Sequence, residues 1–254
     1  MTPQNQTYSN CILFMKLVLL ASLLQLFSMS ATQGQRAVWD QRPTLQVGIE
    51  GGVLFESQLL QNFSASTLDA SNNILLETST RTGIRFGGFL RWRYYNNQNI
   101  ESGIYRISRN YRAFAREEGS GNELAREDVN SVGFEIPLIW TVGIRTSSSG
   151  YLYAGFGGMG SFLASNFGIF TGDIQLTGIA DPRFVGGMVV VAGYEWDWGS
   201  SGGLYFGGQF QHSFGRMGRL GLRYRSGTNT LANGVLDLNG SYLSAVLRYM
   251  LPGS

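Results

Sequence analysis

From Gln35 onward, hydrophobic and polar positions alternate with a period of two, and no stretch carries capped helical spacing. Between Arg81 and Tyr95, the residues Ile84, Phe86, Leu90, Trp92 and Tyr94 fall on one face and Arg81, Arg85, Arg91 and Arg93 on the other. Val132, Phe134, Ile136, Leu138, Trp140, Val142 and Ile144 repeat the pattern, with Ser131, Gly133, Glu135, Thr141 and Arg145 between them, and Phe184 to Trp198 does so again. Such alternation describes strands with one greasy and one polar face.

The pattern predicts eight strands, at about 45–55, 81–95, 100–116, 130–145, 151–164, 183–198, 203–214 and 241–251. Their connections alternate in length. Residues 96–99, 146–150 and 199–202 read as tight turns, whereas 56–80, 117–129, 165–182 and 215–240 read as long loops. The expected fold is all-β: an eight-stranded antiparallel up-and-down transmembrane β-barrel with short periplasmic turns and long external loops.

Alternation alone does not say which face points inward, and a soluble barrel with an apolar lumen is the competing architecture. Four observations favour the membrane barrel. The strands exceed the usual 5 or 6 residues of soluble sheets and cover the ~9–11 needed to cross a bilayer. Charged residues make up only 14% of the chain, against roughly 25% in soluble domains. Aromatic residues cluster beside the tight turns: Trp92, Tyr94 and Tyr95, then Tyr151 and Tyr153, then Trp196 and Trp198, with Tyr249 near the C-terminus, as an interfacial girdle does. Finally, the 19 basic residues comprise Lys16 and 18 arginines, so the segment from Gln35 has no lysine, unlike a soluble surface.

The N-terminal region supplies a compartment. Met15-Lys16, the apolar run Leu17 to Phe27 and the small-residue tail Ser28 to Gly34 read as a signal peptide cleaved between Ser30 and Gly34. Residues 1–34 are therefore expected to be an N-terminal extension plus cleavable signal, and residues 35–254 the barrel domain, located in a bacterial outer membrane. Cys11 is the only cysteine, so an exported disulfide scaffold or thiolate metal site is excluded. The formal charge of +2, spread without a basic run, argues against nucleic acid as a partner.

With apolar faces toward lipid, the alternate residues fill the lumen: Glu50, Arg85, Arg91, Arg93, Arg106, Ser108, Glu135, Arg145, Glu195, Gln209, Gln211 and Arg248. Eight strands enclose just enough room for side chains, so these are expected to form a paired plug, with Glu50, Arg85, Arg91, Glu135 and Arg248 at its heart and Glu135 as an ion-pair hub. Pro137 removes a ladder donor inside a strand, which predicts a bulge or kink. Gly155, Gly157, Gly158 and Gly160 suggest curvature and close packing rather than a ligand cradle.

Catalytic and cofactor chemistry find little support. His212 is the only histidine, and Ser213 beside it faces the opposite way, so a His–Ser pair two positions apart on one face is missing. No catalytic, cofactor or metal residues are therefore assigned. Arg109, Arg112 and Arg116 approach the outer end of the third strand, where guanidinium groups could grip lipopolysaccharide phosphates, and a further arginine group, Arg216, Arg219, Arg223 and Arg225, follows the seventh. Glu117, Glu118, Glu123, Glu127 and Asp128 read as a solvated acidic loop.

The segment Phe134-Glu135-Ile136-Pro137-Leu138-Ile139-Trp140, followed after a turn by Tyr151-Leu152-Tyr153-Ala154-Gly155-Phe156-Gly157, resembles the PorT-like outer-membrane β-barrel proteins of Bacteroidetes. Leu220 to Gly227 is similar to that family's last-loop Tyr-Ser-x-Gly-Leu segment, departing from it at Thr228. The resemblance implies the barrel architecture and, because the founding member is implicated in type IX secretion and gliding, a role as an accessory of such a machine. The residues themselves favour a non-enzymatic barrel acting through its external loops in envelope integrity, adhesion or partner binding. The secretion accessory is the alternative, with a small channel behind it. Expected partners are outer-membrane lipid, lipopolysaccharide and a protein at the external loops or periplasmic turns.

Overall fold

A computed structural model describes residues 45–55, 65–69, 73–95, 97–164, 167–171, 174–179, 184–226 and 229–252. The expected signal peptide lies outside them. The strands are β1 (Leu45–Phe55), β2 (Ala65–Asp69), β3 (Ile74–Tyr95), β4 (Gln98–Glu117), β5 (Glu123–Arg145), β6 (Gly150–Leu163), β7 (Phe167–Thr171), β8 (Ile174–Ile179), β9 (Phe184–Asp197), β10 (Gly203–Ser213), β11 (Arg216–Ser226), β12 (Asn229–Asn239) and β13 (Tyr242–Met250).

Eight of these close a ring. In the order β1-β13-β10-β9-β6-β5-β4-β3, each strand is antiparallel to the next, and β1 also pairs with β3. Every ring strand thus has a neighbour on both sides, which removes the unpaired edge an open sheet would carry. All eight sequence-predicted strands are members of this ring.

Short connections gather at one end, the turn end. There Trp198 N–H donates to the Gly202 carbonyl at 2.9 Å, and Gly199 and Gly202 adopt φ of +64° and +97°, which glycine does at no steric cost. At the opposite loop end, the expected long loops contain strands of their own. Residues 117–129 are not a loop: β4 and β5 run on, and a turn with Gly119 and Gly121 at positive φ joins them. The charges of Glu123, Glu127 and Asp128 hid the start of β5, on whose inward side Ala125 and Val129 pack into an apolar core. The remaining loops supply β2, which extends the ring sheet along β3, and a second sheet in the order β12-β11-β8-β7.

The two ends are built on opposite principles. At the loop end Ile74, Leu76, Tyr111, Ala113 and Val129 pack with Leu220, Leu222, Tyr224 and Ala232 of the second sheet into a buried apolar core. Their outward neighbours are charged: Glu77, Arg112, Arg116 and Asp128. Toward the turn end the same strands reverse. Ile84, Phe86, Leu90 and Trp92 stand outside and exposed, while Arg85 and Arg91 are buried within. The change falls at one row, Arg81 opposite Asn110 opposite Asn130. In β3 a register shift between Arg81 and Ile84 swaps which parity faces inward, so Arg81 points out while Arg85 points in.

Candidate functional site

Inside the ring, alternating charges form a chain. Arg91 Nη1 donates to Glu195 at 2.5 Å and its Nε to Glu101 at 2.7 Å. Arg248 Nη1 reaches the other oxygen of Glu101 at 2.7 Å, and its Nε donates to Glu50 at 2.5 Å. Glu50 also pairs with Arg85 at 2.9 Å. These side chains are all almost fully buried, so each charge depends on its partners rather than on water.

A second cluster centres on Glu135. Its Oε2 accepts the Tyr242 hydroxyl at 2.5 Å, and its Oε1 accepts Gln211 at 2.7 Å, Arg109 at 2.9 Å and Ser161 at 3.4 Å. Arg85 Nη1, 3.4 Å from the Tyr242 oxygen, joins the two clusters. Tyrosine rings pack on the guanidinium faces, Tyr105 at 4.2 Å from Arg85, Tyr153 at 4.8 Å from Arg91 and Tyr205 at 4.8 Å from Arg248. The result is an interior cross-linked by side chains, in keeping with the narrow diameter of an eight-stranded barrel.

Glu50, Arg85, Arg91, Glu135 and Arg248, singled out from the sequence, all lie in this network. Glu101 and the four tyrosines were missed, although Glu101 shares the parity of Tyr105 and Arg109 on β4. That strand carries polar residues on both faces, so polarity could not phase it. Three expectations change in consequence. Arg106 is not luminal: it is exposed on the outer face, with Ser108 beside it covered by Asn130, whose amide donates to its hydroxyl at 2.6 Å. Arg109, expected at the surface, points inward to Glu135. Arg145 stays at the turn-end rim, donating to the carbonyls of Ser147 and Ser148.

The outer surface carries the aromatic girdle. Trp92, Tyr94, Trp196 and Trp198 are exposed beside the turns, and Tyr249 is half-buried, its hydroxyl near the Ser201 carbonyl. Tyr151 and Tyr153 do not belong to it, because both are buried in the interior. Trp140 is an unanticipated member, donating from Nε1 to Tyr94 at 2.9 Å. Of the surface arginines, Arg112 holds Asp128 through two bonds of 2.6 and 2.9 Å, and Arg116 pairs with Glu77 at 3.2 Å. The hydrogen bond from Arg112 holds the Asp128 carboxyl below its ordinary range.

Three local expectations resolve simply. The ladder keeps one register across Pro137 instead of bulging, and the Ser102 hydroxyl donates to the Pro137 carbonyl at 2.9 Å. A Cβ on Gly157 would stand 2.7 Å from the Ile139 Cα, so that glycine marks a close approach of strands. His212 lies near the loop end of β10, its Nδ1 3.1 Å from Ser241 Oγ.

No family model matches the chain, and no curated protein matches it. Among solved structures, the chain is similar to the outer membrane protein OprG from Pseudomonas aeruginosa, at 10% identity and a TM-score of 0.47, covering 82% of this chain and 96% of that one. It is also similar to the outer membrane protease OmpT from Escherichia coli, at 10% identity and a TM-score of 0.35 over 81% and 93% of the two chains. The transport unit of the autotransporter AIDA-I from Escherichia coli matches at 12% identity and a TM-score of 0.31, over 92% of this chain and 98% of that one.

Proposed function

We propose that this protein is a non-enzymatic outer-membrane β-barrel that presents a folded external cap for binding. The observation that carries this reading is the reversal of polarity along β3, β4 and β5. An apolar exterior over a charged interior is unfavourable in water and favourable in hydrocarbon. On β3 the exposed apolar face runs from Ile84 to Tyr94, about 11 residues, matching the ~9–11 a tilted strand uses to cross a bilayer. The girdle of Trp92, Trp196 and Trp198 supports an interface at the turn end, and the polar row Arg81–Asn110–Asn130 an interface at the other. Beyond that row the protein has the apolar core and charged surface of a water-exposed fold.

The interior supports binding over transport or catalysis. Its carboxylates are consumed in ion pairs, and its tyrosine and arginine side chains fill the cross-section. Ion conduction tests the reading: purified protein in planar bilayers should give currents at background. Stepwise conductance of a defined size would instead make it a channel.

A further inference from the structure

Among the described residues, no protein group answers Arg106. It projects from the outer face of β4, with Phe86 of β3 and Phe134 of β5 as its register partners and Ile104 as the next outward residue toward the turn end. It is exposed, and among the described residues no ion pair or hydrogen bond holds its guanidinium. An arginine on the lipid face of a barrel is costly near the bilayer centre and cheap near the interface, where the long side chain can carry its charge into the polar layer.

That layer is close by. Arg106 is four residues along β4 from Asn110, ~13 Å at ~3.3 Å per residue, and Asn110 lies in the row with Arg81 and Asn130. A surface cleft of about 290 Å³ opens there, lined by Arg81, Asn110, Tyr111, Asp128, Val129 and Asn130. Its floor is fixed: Asn130 donates to Asn110 at 2.6 Å, and Asn110 donates to the Thr82 carbonyl at 2.7 Å. Arg81 gives one bond, from Nη1, to Asp128 at 3.0 Å, while Arg112 already binds that carboxylate through two. Among the described residues, nothing else holds the remaining donors of Arg81, which are left for another acceptor.

We infer that Arg106 and Arg81 form a binding site for the phosphate of a lipid headgroup, closing on it from the hydrocarbon side and the water side. Guanidinium forks match phosphate oxygens in pairs, and Phe86 and Phe134 flank the path of the acyl chains below. The inference rests on the membrane reading above.

The test is native mass spectrometry of the full chain released from detergent, with added dioleoyl phosphatidic acid, with dioleoylglycerol as the phosphate-free match, or with inorganic phosphate as competitor. One phosphatidic acid should stay bound, and Arg106→Gln or Arg81→Gln should weaken retention about tenfold, the loss of a charge-assisted hydrogen bond. Arg219→Gln, on the second sheet, should leave retention unchanged. Equal retention of dioleoylglycerol, displacement by equimolar inorganic phosphate, or undiminished retention in Arg106→Gln would overturn the lipid-phosphate site. Mobility of unheated and boiled samples, run on the same preparations, reports the barrel separately: a protein that shows the heat shift yet ignores Arg106→Gln refutes this site alone, whereas one that is soluble without detergent refutes the membrane reading.

Discussion

Arg248 on the last strand donates to Glu50 on the first at 2.5 Å, and the two are register partners across the seam that closes the ring. They are 198 positions apart in the chain, so this pair forms only when both ends of the barrel have met. Arg248→Ala should therefore destabilise the closed barrel by about 3 kcal/mol, the lower part of the range for a broken buried pair, because Arg85 and Arg91 still neutralise Glu50 and Glu101. By contrast Arg219→Ala, whose guanidinium is 3.9 Å from Asp237 at the surface, should cost less than about 1 kcal/mol. The temperature at which the unheated form converts to the boiled mobility measures both.

Glu135 receives four donors, so its removal strands Arg109, Tyr242 and Gln211 together. Glu135→Ala should lower heat resistance by about 3–5 kcal/mol, and Tyr242→Phe, which deletes one hydrogen bond to a charged acceptor, by about 1.5–3 kcal/mol. Unchanged conversion temperature in Glu135→Ala would remove the hub.

Glycines on the two faces should respond differently. A Cβ at Gly157 meets backbone of β5, whereas at Gly51 nothing lies within 4 Å. Gly157→Ala is expected to reduce the folded fraction, at a cost of about 1–3 kcal/mol for overpacking, and Gly51→Ala to refold like the parent. Refolding yield in detergent, read by the unheated band, separates them.

Acid should loosen the cap before the barrel. The Asp128 carboxyl is depressed first by its hydrogen bond with Arg112, so its folded value lies below the unfolded ~3.9. Its contribution is thus complete above that pH and is lost as pH falls through the folded value. Hydrogen exchange over residues 110–130, corrected for intrinsic rate, should rise below about pH 4, by a smaller step at high salt, where the exposed pair is already screened. In Asp128→Asn the exchange should already be raised at neutral pH, with no further acid step from this site.

The sequence carried the ring because alternation is strongest where the outer face is apolar and the inner face is charged or polar: β3, β5 and β9 are legible for that reason. It carried Glu50, Arg85, Arg91, Glu135 and Arg248 into the interior by parity alone. Parity failed where both faces hold polar groups, which misplaced Arg106 and Arg109 on β4, and where a register shift reverses it, which put Arg81 with Arg85. Tyr151 and Tyr153 looked like girdle residues because they neighbour a turn, yet they face inward and fill the lumen with Arg91. The cap strands β2, β7 and β8 are only 5 or 6 residues long, and β11 and β12 carry interspersed glycines and asparagines, so alternation is weak in them although β2–β3, β7–β8 and β11–β12 pair as local hairpins. The pairing of β8 with β11 spans a long stretch of chain, and local pattern does not encode that.

The central claim is that the apolar face of the ring meets lipid. It is tested most directly by reconstituting the chain into lipid vesicles without detergent, adding protease, and comparing the surviving product unheated and boiled. The account predicts a protected core containing the eight ring strands whose mobility changes on boiling. A chain that stays in solution, or is digested throughout with no heat-dependent shift, would contradict it.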